Sequence, residues 1–148
     1  MPRKKQAGPI RTTEFGSMTV KQVMEKNVQC ARLTTKGDVM ASLMIEGFGS
    51  VPVIDGQRKL AGIVSEHDLL AAMDDGHRLG ALTAGDIMTA NPYSVRPETT
   101  LGTLVHVLRA SDLVRVPVVD ANDKLIGIIA RRDVLRTYLS SGSSGKRK

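Results

Sequence analysis

Two residues three positions apart, Ser65 and Asp68, have the clearest potential for chemistry in this chain. They follow an apolar run and precede a helical pattern, so we expect them where a strand meets the start of a helix. A carboxylate held there can accept hydrogen bonds from both hydroxyls of a ribose, and the serine hydroxyl can add a third. The same pair also fits a helix cap, with Ser65 as N-cap and Asp68 complementing the helix dipole. Both interpretations are open at this point.

A second junction of the same kind helps to separate these interpretations. It has Ala130 in place of the serine and keeps the carboxylate as Asp133. Because the capping hydroxyl is gone, Asp133 fits ribose binding slightly better than capping, although it still suits the helix dipole. We also expect Gly62 and Gly127, in the strands before the junctions, to let a ligand approach the strand backbone closely.

The two junctions end a longer repeat. The segments Val51–Asp55 and Lys59–Asp68 return as Val116–Asp120 and Lys124–Asp133, always 65 residues later. Farther upstream the offset is 64, so we expect one inserted residue in the second copy, in a loop near 96–100. A gapless match of this length indicates a duplicated structural module. Two similar halves can build two similar clefts, which favours binding over catalysis.

The hydrophobic pattern predicts the order strand, helix, strand, strand, helix in each copy. The predicted elements of the first copy are a strand near Val28–Leu33, a helix with an apolar stripe from Val39 to Met44, strands at Ser50–Ile54 and Lys59–Val64, and a helix from Glu66 to about Met73. Asp38 is the expected N-cap of the first of these helices and Gly47 its C-terminal stop. Tyr93–Arg96 is the expected first strand of the second copy. Thr19 and Thr83 are expected to cap short helical turns at Val20–Met24 and Ala84–Met88, ahead of the first strand of each copy.

Composition places the protein among globular chains of one or two small domains. It has 148 residues, of which 41% are hydrophobic and only 3% aromatic, so the core must be aliphatic. No apolar stretch approaches the roughly 18–20 residues needed to span a bilayer. The lone Cys30 excludes an intrachain disulfide and fits a reducing compartment, which makes the cytoplasm the expected location.

The net charge of +6 invites a nucleic-acid hypothesis, but the distribution of charge argues against it. The basic excess lies in the two terminal segments, whereas residues 17–140 carry equal numbers of basic and acidic side chains. We expect both tails to be disordered. The alternative is a basic arm that touches nucleic acid or an acidic partner. Residues 14–17 also have the composition of a cloning junction, with the natural start at Met18.

The repeated motifs resemble the cystathionine-beta-synthase (CBS) domain. The resemblance is carried by the turn ending in Val23-Met24, the strand at 51–53 and the junction from Gly62 to Asp68. Because the ordered set occurs twice, the chain resembles a tandem pair of CBS domains, a Bateman module, over about 18–140. This implies an α/β fold of two copies packed with pseudo-two-fold symmetry, with two clefts between them. It also implies a stand-alone regulatory protein in signal transduction.

The resemblance gives the expected domain boundaries. A disordered basic N-terminal tail is expected at 1–17, a first CBS domain at 18–75, a linker at 76–82, a second CBS domain at 83–140 and a disordered basic C-terminal tail at 141–148.

The resemblance further implies an adenosyl-containing ligand, such as AMP, ADP, ATP, NAD or S-adenosylmethionine. The aspartate of one copy would bind the ribose, while strand edges of the other copy would contact the adenine through backbone groups. One cleft would combine Ser65 and Asp68 with Pro92, Tyr93, Val114, Arg115 and Val116, and the other would combine Asp133 with Val28, Gln29, Gly49, Ser50 and Val51.

Whether the ligand carries a phosphate is left open by the sequence. Arg115 matches a position that can contact phosphate in AMP-binding relatives, although a solvated arginine at a strand end fits it equally well. Arg131 and Arg132 could also meet a phosphate, whereas Glu66 at the first junction would repel one.

No group of residues indicates catalysis or a metal site. His67 is flanked by two acidic residues, but adjacent helix residues point apart. Ser65 is too close to His67 in sequence for a nucleophile–base pair, and Cys30 has no evident base partner. We therefore expect no enzymatic activity and no metal.

Apolar helix stripes predict a homodimer joined through helices. The stripes consist of Val39, Met40, Leu43, Met44, Leu101, Leu104, Val105 and Leu108. Two alternatives remain beside the ligand sensor. One is a ligand-free dimerisation scaffold of the same fold, and the less favoured one is a nucleic-acid binder that uses its basic tails.

Overall fold

Short helices and strands alternate along the chain in the computed structural model, which describes residues 14–47 and 49–141. In chain order the elements are α1 (Glu14–Ser17), α2 (Val20–Val23), β1 (Ala31–Arg32), α3 (Gly37–Ile45), β2 (Ser50–Ile54), β3 (Leu60–Ser65), α4 (Glu66–Asp74), a 3₁₀ turn (Leu79–Ala81), α5 (Ala84–Ile87), β4 (Thr89–Ala90), α6 (Leu101–Ala110), β5 (Arg115–Val119), β6 (Leu125–Ala130) and α7 (Arg131–Ser140). The predicted α/β class is confirmed.

The described residues form two compact units that do not follow the order of the chain. The four-stranded unit contains 27–94 and 119–126, and the two-stranded unit contains 14–26, 95–118 and 127–141. The first segment of each repeat therefore belongs to the unit built around the other repeat. The domain boundaries predicted above follow the sequence repeat, whereas packing exchanges these first segments.

The four-stranded unit is built around the hairpin of β2 and β3. These strands pair antiparallel, with Val51 opposite Val64. Strand β1 adds to β2 in parallel and β4 adds to β3 antiparallel, which gives the order β1-β2-β3-β4. The helices α3 and α4 cover the sheet with aliphatic side chains. The core consists of Ala31, Met40, Met44, Val51, Val53, Val64, Leu69 and Ala84.

The two-stranded unit contains most of β5 and β6, which pair with each other, and its helices α6 and α7 contact each other. Backbone hydrogen bonds fasten the N-terminal segment to this unit, because the Val20 N–H donates to the Thr99 carbonyl at 2.8 Å and the Leu101 N–H to the Met18 carbonyl at 2.8 Å. Phe15 in α1 is only 2% exposed. Its ring meets the edge of Tyr138 with the centroids 5.3 Å apart.

This packing contradicts part of the prediction for the N-terminal tail. Residues 14–17 were expected to be disordered, but they form a helix because the Phe15 side chain has a buried place in the two-stranded unit. The rest of that tail, 1–13, and all but Ser141 of the C-terminal tail lie outside the described residues.

Several predicted boundaries also differ from the structure. The strand expected at Val28–Leu33 is only two residues long, and the strand expected at Tyr93–Arg96 is a single bridge from Val95 to Val118. Helix α3 has Lys36 rather than Asp38 as its N-cap, while Gly47 ends it with φ of +113° as expected.

The inserted residue lies after the start of α6, not near 96–100. Helices α3 and α6 begin at 37 and 101, an offset of 64, whereas β2 and β5 begin at 50 and 115, an offset of 65. Helix α6 has ten residues and α3 nine, so the extra residue lengthens the helix.

Candidate ligand-binding junctions

The first strand-to-helix junction contains a complete capping box. The Ser65 N–H donates to Asp68 Oδ2 at 2.8 Å, and the Asp68 N–H donates to Ser65 Oγ at 3.2 Å. Both side chains are only partly buried. Among the described residues, no group donates to the second oxygen, Asp68 Oδ1. Capping and ligand binding are therefore compatible, because capping uses one carboxylate oxygen and leaves the other to a ligand.

The second junction has only half of that box. The Ala130 N–H donates to Asp133 Oδ2 at 2.9 Å, and the missing hydroxyl leaves α7 without a side-chain N-cap. The other oxygen, Asp133 Oδ1, accepts from Arg136 Nη1 at 3.1 Å. The Arg136 side chain is 65% exposed, so this surface ion pair is weak and a ligand could displace it. The two junctions thus differ in more than the hydroxyl at 65.

Two further helices begin with an N-cap N–H that donates to a side chain three residues later. The spacing of Ser65 and Asp68 alone is therefore weaker evidence for ligand binding. The Thr19 N–H donates to Gln22 Oε1 at 2.8 Å at the start of α2. The Thr83 N–H donates to Asp86 Oδ2 at 2.9 Å at the start of α5. This N–H and the Thr83 hydroxyl hold the pKa of Asp86 below its usual value. An acceptor three residues after the N-cap is therefore a general structural feature of this chain.

The residues predicted to contact the adenine differ widely in exposure. Val51 and Val116 are completely buried, so only their backbone can face a ligand, in keeping with the predicted backbone contacts. Tyr93 and Val114 are 46% and 58% exposed. The remaining predicted contacts are partly buried (Val28, Ser50, Pro92, Arg115) or exposed (Gln29, Gly49).

Each unit brings some predicted site residues together. In the four-stranded unit Ser50 lies directly opposite Ser65 across the β2–β3 hairpin, and the Glu66 N–H donates to the Gly49 carbonyl at 3.4 Å. In the two-stranded unit the Arg131 N–H donates to the Val114 carbonyl at 3.0 Å. The predicted groupings of Asp68 with the 114–116 edge, and of Asp133 with the first-repeat edge, combine residues of different units and stay predictions.

The expectation that Gly62 and Gly127 leave room for a ligand is wrong. A Cβ added to Gly62 would collide with Met88 Sδ, and one added to Gly127 would collide with Met24 Sδ. Each glycine therefore gives room to a methionine of its own unit. The repeated pairs at 23–24 and 87–88 were the sequence signal for this contact.

The Arg131 side chain is exposed, but its guanidinium donates to backbone carbonyls. Its Nε donates to the Leu113 carbonyl at 2.6 Å, and its Nη2 donates to the Ser111 carbonyl at 3.4 Å. The sequence suggested that Arg131 could meet a phosphate and did not anticipate these backbone contacts.

A polar depression of about 350 Å³ lies in the four-stranded unit, at the turn end of the β2–β3 hairpin and away from Ser65. It is lined by Asp55, Lys59, Leu60, Asn91, Pro92, Ser94, Val119 and Asp123. The N–H groups of Gln57 and Lys59 donate to Asp55 Oδ1 and lower the pKa of this carboxyl. Of the predicted contacts only Pro92 lies here, and the sequence patterns did not reveal the depression.

Within residues 14–47 and 49–141, no three His, Cys, Asp or Glu side chains are grouped so that they could hold a metal ion. In the same part of the chain, every helix is too short or too polar to cross a membrane.

Comparisons with known proteins point to one family. The family model described as "CBS domain" matches this chain twice, over residues 20–75 and 84–140. The CBS domain-containing protein CBSX1 of Arabidopsis thaliana, named as chloroplastic, is 32% identical over 162 aligned residues, which cover 89% of this chain and 69% of that protein.

Solved structures show the same similarity. The crystal structure of CBSX2 in complex with AMP has 34% sequence identity and a TM-score of 0.73, covering 82% of this chain and 96% of that one. CBSX2 is also an Arabidopsis thaliana protein named as chloroplastic. The CBS domain pair of MJ0100, in complex with 5′-methylthioadenosine and S-adenosyl-L-methionine, has 23% identity and a TM-score of 0.72, covering 82% of this chain and 95% of that one. At that identity the likeness shows the fold alone.

Proposed function

This chain belongs to the CBS-domain family and contains two copies of the domain, and we propose that it is a regulatory module that binds an adenosyl-containing ligand. The observation that carries the proposal is the first junction. There Asp68 uses one oxygen for the Ser65 N–H, keeps Oδ1 without a partner among the described residues, and lies beside a serine hydroxyl. Such a carboxylate can accept two ribose hydroxyls.

The nature of the ligand follows from the relatives and from the charges of this chain. CBSX2 has been crystallised with AMP, and MJ0100 with S-adenosyl-L-methionine and 5′-methylthioadenosine. Of the predicted phosphate contacts, Arg131 already binds backbone carbonyls, so Arg115 and Arg132 are the remaining candidates. We favour AMP as the first ligand to test.

A thermal-shift screen tests this function. The screen compares AMP, ADP, ATP, NAD and S-adenosylmethionine, because a ligand that binds only the folded state stabilises it by about 2.7 kcal/mol at a hundredfold excess over Kd. We expect at least one of the five to raise Tm in a concentration-dependent way. Guanosine 5′-monophosphate serves as the control for a non-adenine nucleotide. If none of the five shifts Tm, the ligand proposal fails and the scaffold hypothesis takes its place.

The protein acts in this proposal by binding rather than by catalysis, as a homodimer. The basis for a dimer is exposed apolar surface on two helices. Leu70 and Met73 on α4 are 60% and 54% exposed, and Leu135 and Leu139 on α7 are each 65% exposed. An isologous dimer would cover such faces.

The location in the cytoplasm stays a prediction from the single cysteine, and the two plant relatives are named as chloroplastic.

A further inference from the structure

We propose that Arg131 is a positioning residue, whose guanidinium holds the connection between α6 and β5 (residues 111–114) in the conformation that ligand binding requires. The inference rests on the proposed function, because Val114, Arg115 and Val116 are the predicted ligand contacts at the end of this connection. It replaces the expectation that Arg131 meets a ligand phosphate.

Three hydrogen bonds join Arg131 to the connection. The backbone N–H of Arg131 donates to the Val114 carbonyl at 3.0 Å, Nε donates to the Leu113 carbonyl at 2.6 Å, and Nη2 donates to the Ser111 carbonyl at 3.4 Å. Hydrogen bonds from a charged donor are shorter and stronger than neutral ones, and the planar fork of arginine fixes the direction of both. The side chain of Arg131 thus binds two carbonyl groups of the connection, and its backbone N–H binds a third.

The first repeat shows why the second needs this support. Helix α3 is followed by its C-cap Glu46 and then by Gly47, which has φ of +113° and whose N–H donates to the Met44 carbonyl at 3.0 Å. This glycine closes the helix in the usual left-handed turn. Helix α6 instead has Ser111 as its C-cap, in an extended conformation with φ of −134°, and residues 112–114 contain no glycine. The α6–β5 connection therefore lacks a glycine-closed turn.

The side chain at the matching position of the first repeat cannot make the same hydrogen bonds. Glu66 aligns with Arg131, and a carboxylate has no N–H to donate to a carbonyl. Its backbone N–H still donates to the Gly49 carbonyl at 3.4 Å, as that of Arg131 does to Val114. The backbone hydrogen bond is common to both repeats. The side-chain hydrogen bonds of Arg131 occur only in the second repeat, where the glycine turn is missing.

The side-chain hydrogen bonds of Arg131 matter for binding because strand β5 starts at Arg115, directly after the connection. If residues 114–116 move in the ligand-free protein, binding must order them, and that ordering costs affinity. A positioning residue affects every ligand that uses the edge, with or without a phosphate. A phosphate-contacting residue affects only phosphorylated ligands.

The test compares adenosine and AMP as probes by calorimetry, using wild type and Arg131→Ala. The neighbouring Arg132→Ala is the control for the amide-exchange measurement only. We expect Arg131→Ala to weaken both probes by the same factor, roughly 2–12-fold. Amide hydrogen exchange of the ligand-free variant should be faster in 111–116, with the four-stranded unit and the overall Tm little changed. Arg132→Ala should leave exchange in 111–116 as in wild type.

Other outcomes overturn the proposal. A loss for AMP only, with unchanged exchange, would make Arg131 a phosphate contact. No change in either measurement would make it an ordinary solvated arginine, and faster exchange throughout the protein would make its role one of general stability. If wild type binds neither probe nor any ligand of the screen, the proposed function itself is wrong. In that case the exchange data still decide whether Arg131 holds the connection.

Discussion

At the scale of single residues, Asp68 combines two roles that can be separated experimentally. Its Oδ2 accepts the Ser65 N–H, which stabilises the start of α4, whereas Oδ1 has no partner in the described part of the chain. Asp86 has the same capping role at α5 without any predicted ligand. Capping alone thus predicts similar behaviour for the two aspartates, and ligand binding predicts a difference.

The first prediction uses this pair. Asp68→Asn keeps a carbonyl oxygen for the Ser65 N–H but loses the negative charge, so we expect ligand affinity to fall at least tenfold, consistent with roughly 1.5–3 kcal/mol for charge-assisted bonds. Asp86→Asn is the matched control and should bind as wild type does. Calorimetry with the ligand from the screen measures both. Equal affinities for Asp68→Asn and wild type would make Asp68 a capping residue only.

The second prediction concerns the missing hydroxyl at the other junction. Ala130 has φ −111° and ψ 159°, close to the φ −109° and ψ 168° of Ser65, so a serine fits without strain. We expect Ala130→Ser to stabilise the ligand-free protein by about 0.5–2 kcal/mol through the new N-cap. It should also strengthen a second, weaker binding event about 2–12-fold, as one hydrogen bond does.

Urea unfolding and calorimetry separate these two effects. The control is Ser65→Ala, which should lose both cap energy and affinity at the first junction. Unchanged unfolding of Ala130→Ser would contradict the capping argument, and unchanged affinity would exclude Asp133 from the ribose site.

At the scale of elements, residues at the ends of short helices fill the space beside the glycines of the strands. Helix α5 leads to Met88, whose sulfur lies where a side chain at Gly62 would be, and the segment after α2 places Met24 over Gly127 in the same way. The glycines are therefore part of helix–strand packing. Helix α1 likewise depends on packing, because its four residues are held by the burial of Phe15.

The third prediction tests the glycine–methionine contact. Gly62→Ala should destabilise the fold by roughly 1–3 kcal/mol, as overpacking does. Gly56→Ala is the control, since a Cβ at Gly56 meets nothing within 4 Å. Adding Met88→Ala to Gly62→Ala should recover part of the loss, because the shorter side chain makes room. Independent, additive effects in this double-mutant cycle would argue against the contact.

The fourth prediction concerns α1. Phe15→Ala should cost about 3–5 kcal/mol, the usual range for a buried phenylalanine. The control Ile45→Ala, at a side chain that is 85% exposed, should change stability by less than about 0.5 kcal/mol. A chain that starts at Met18 should show a lowered Tm as well. Equal Tm values for Phe15→Ala and wild type would mean that residues 14–17 do not contribute to the stability of the fold.

At the scale of the whole molecule, the residues that first suggested a dimer are mostly core. Met40, Met44, Leu101, Leu104 and Leu108 are buried within the single chain. Half of the exposed large apolar side chains in the described part of the chain belong to α4 and α7, namely Leu70, Met73, Leu135, Tyr138 and Leu139, and α3 exposes Val39 and Ile45. We still propose a dimer joined through helices, but we now place its interface on α4 and α7 instead of on the predicted apolar stripes.

The fifth prediction is that light scattering gives the mass of a homodimer at micromolar concentration. The double variant Leu135→Lys and Leu139→Lys places two charges on the α7 face and should shift the protein toward monomer. Ser140→Lys adds a charge at an exposed polar position of the same helix and should remain dimeric. A monomeric wild type, with and without ligand, would refute the proposal.

The sequence by itself determined the family, the α/β class and the position of the strand-to-helix junctions. These features depend on local pattern: alternating and helical apolar spacing, turn residues such as Asp55-Gly56, and a repeat at constant offset. Helix α4 begins at Glu66, as predicted, and α7 begins at the equivalent position of the second repeat, Arg131, because the N-cap and the acceptor three residues later are neighbours in sequence.

Only the tertiary structure decided what each of these side chains contacts. Gly62 faces Met88, Phe15 meets Tyr138, and Arg131 binds the carbonyls of Leu113 and Ser111, all across separations that no local pattern encodes. The exchange of first segments between the two units has the same origin. Backbone groups of 20–21 pair with those of 97–99 because folding brings these distant stretches together, and burial of apolar surface, which depends on shape rather than on sequence order, selects that arrangement.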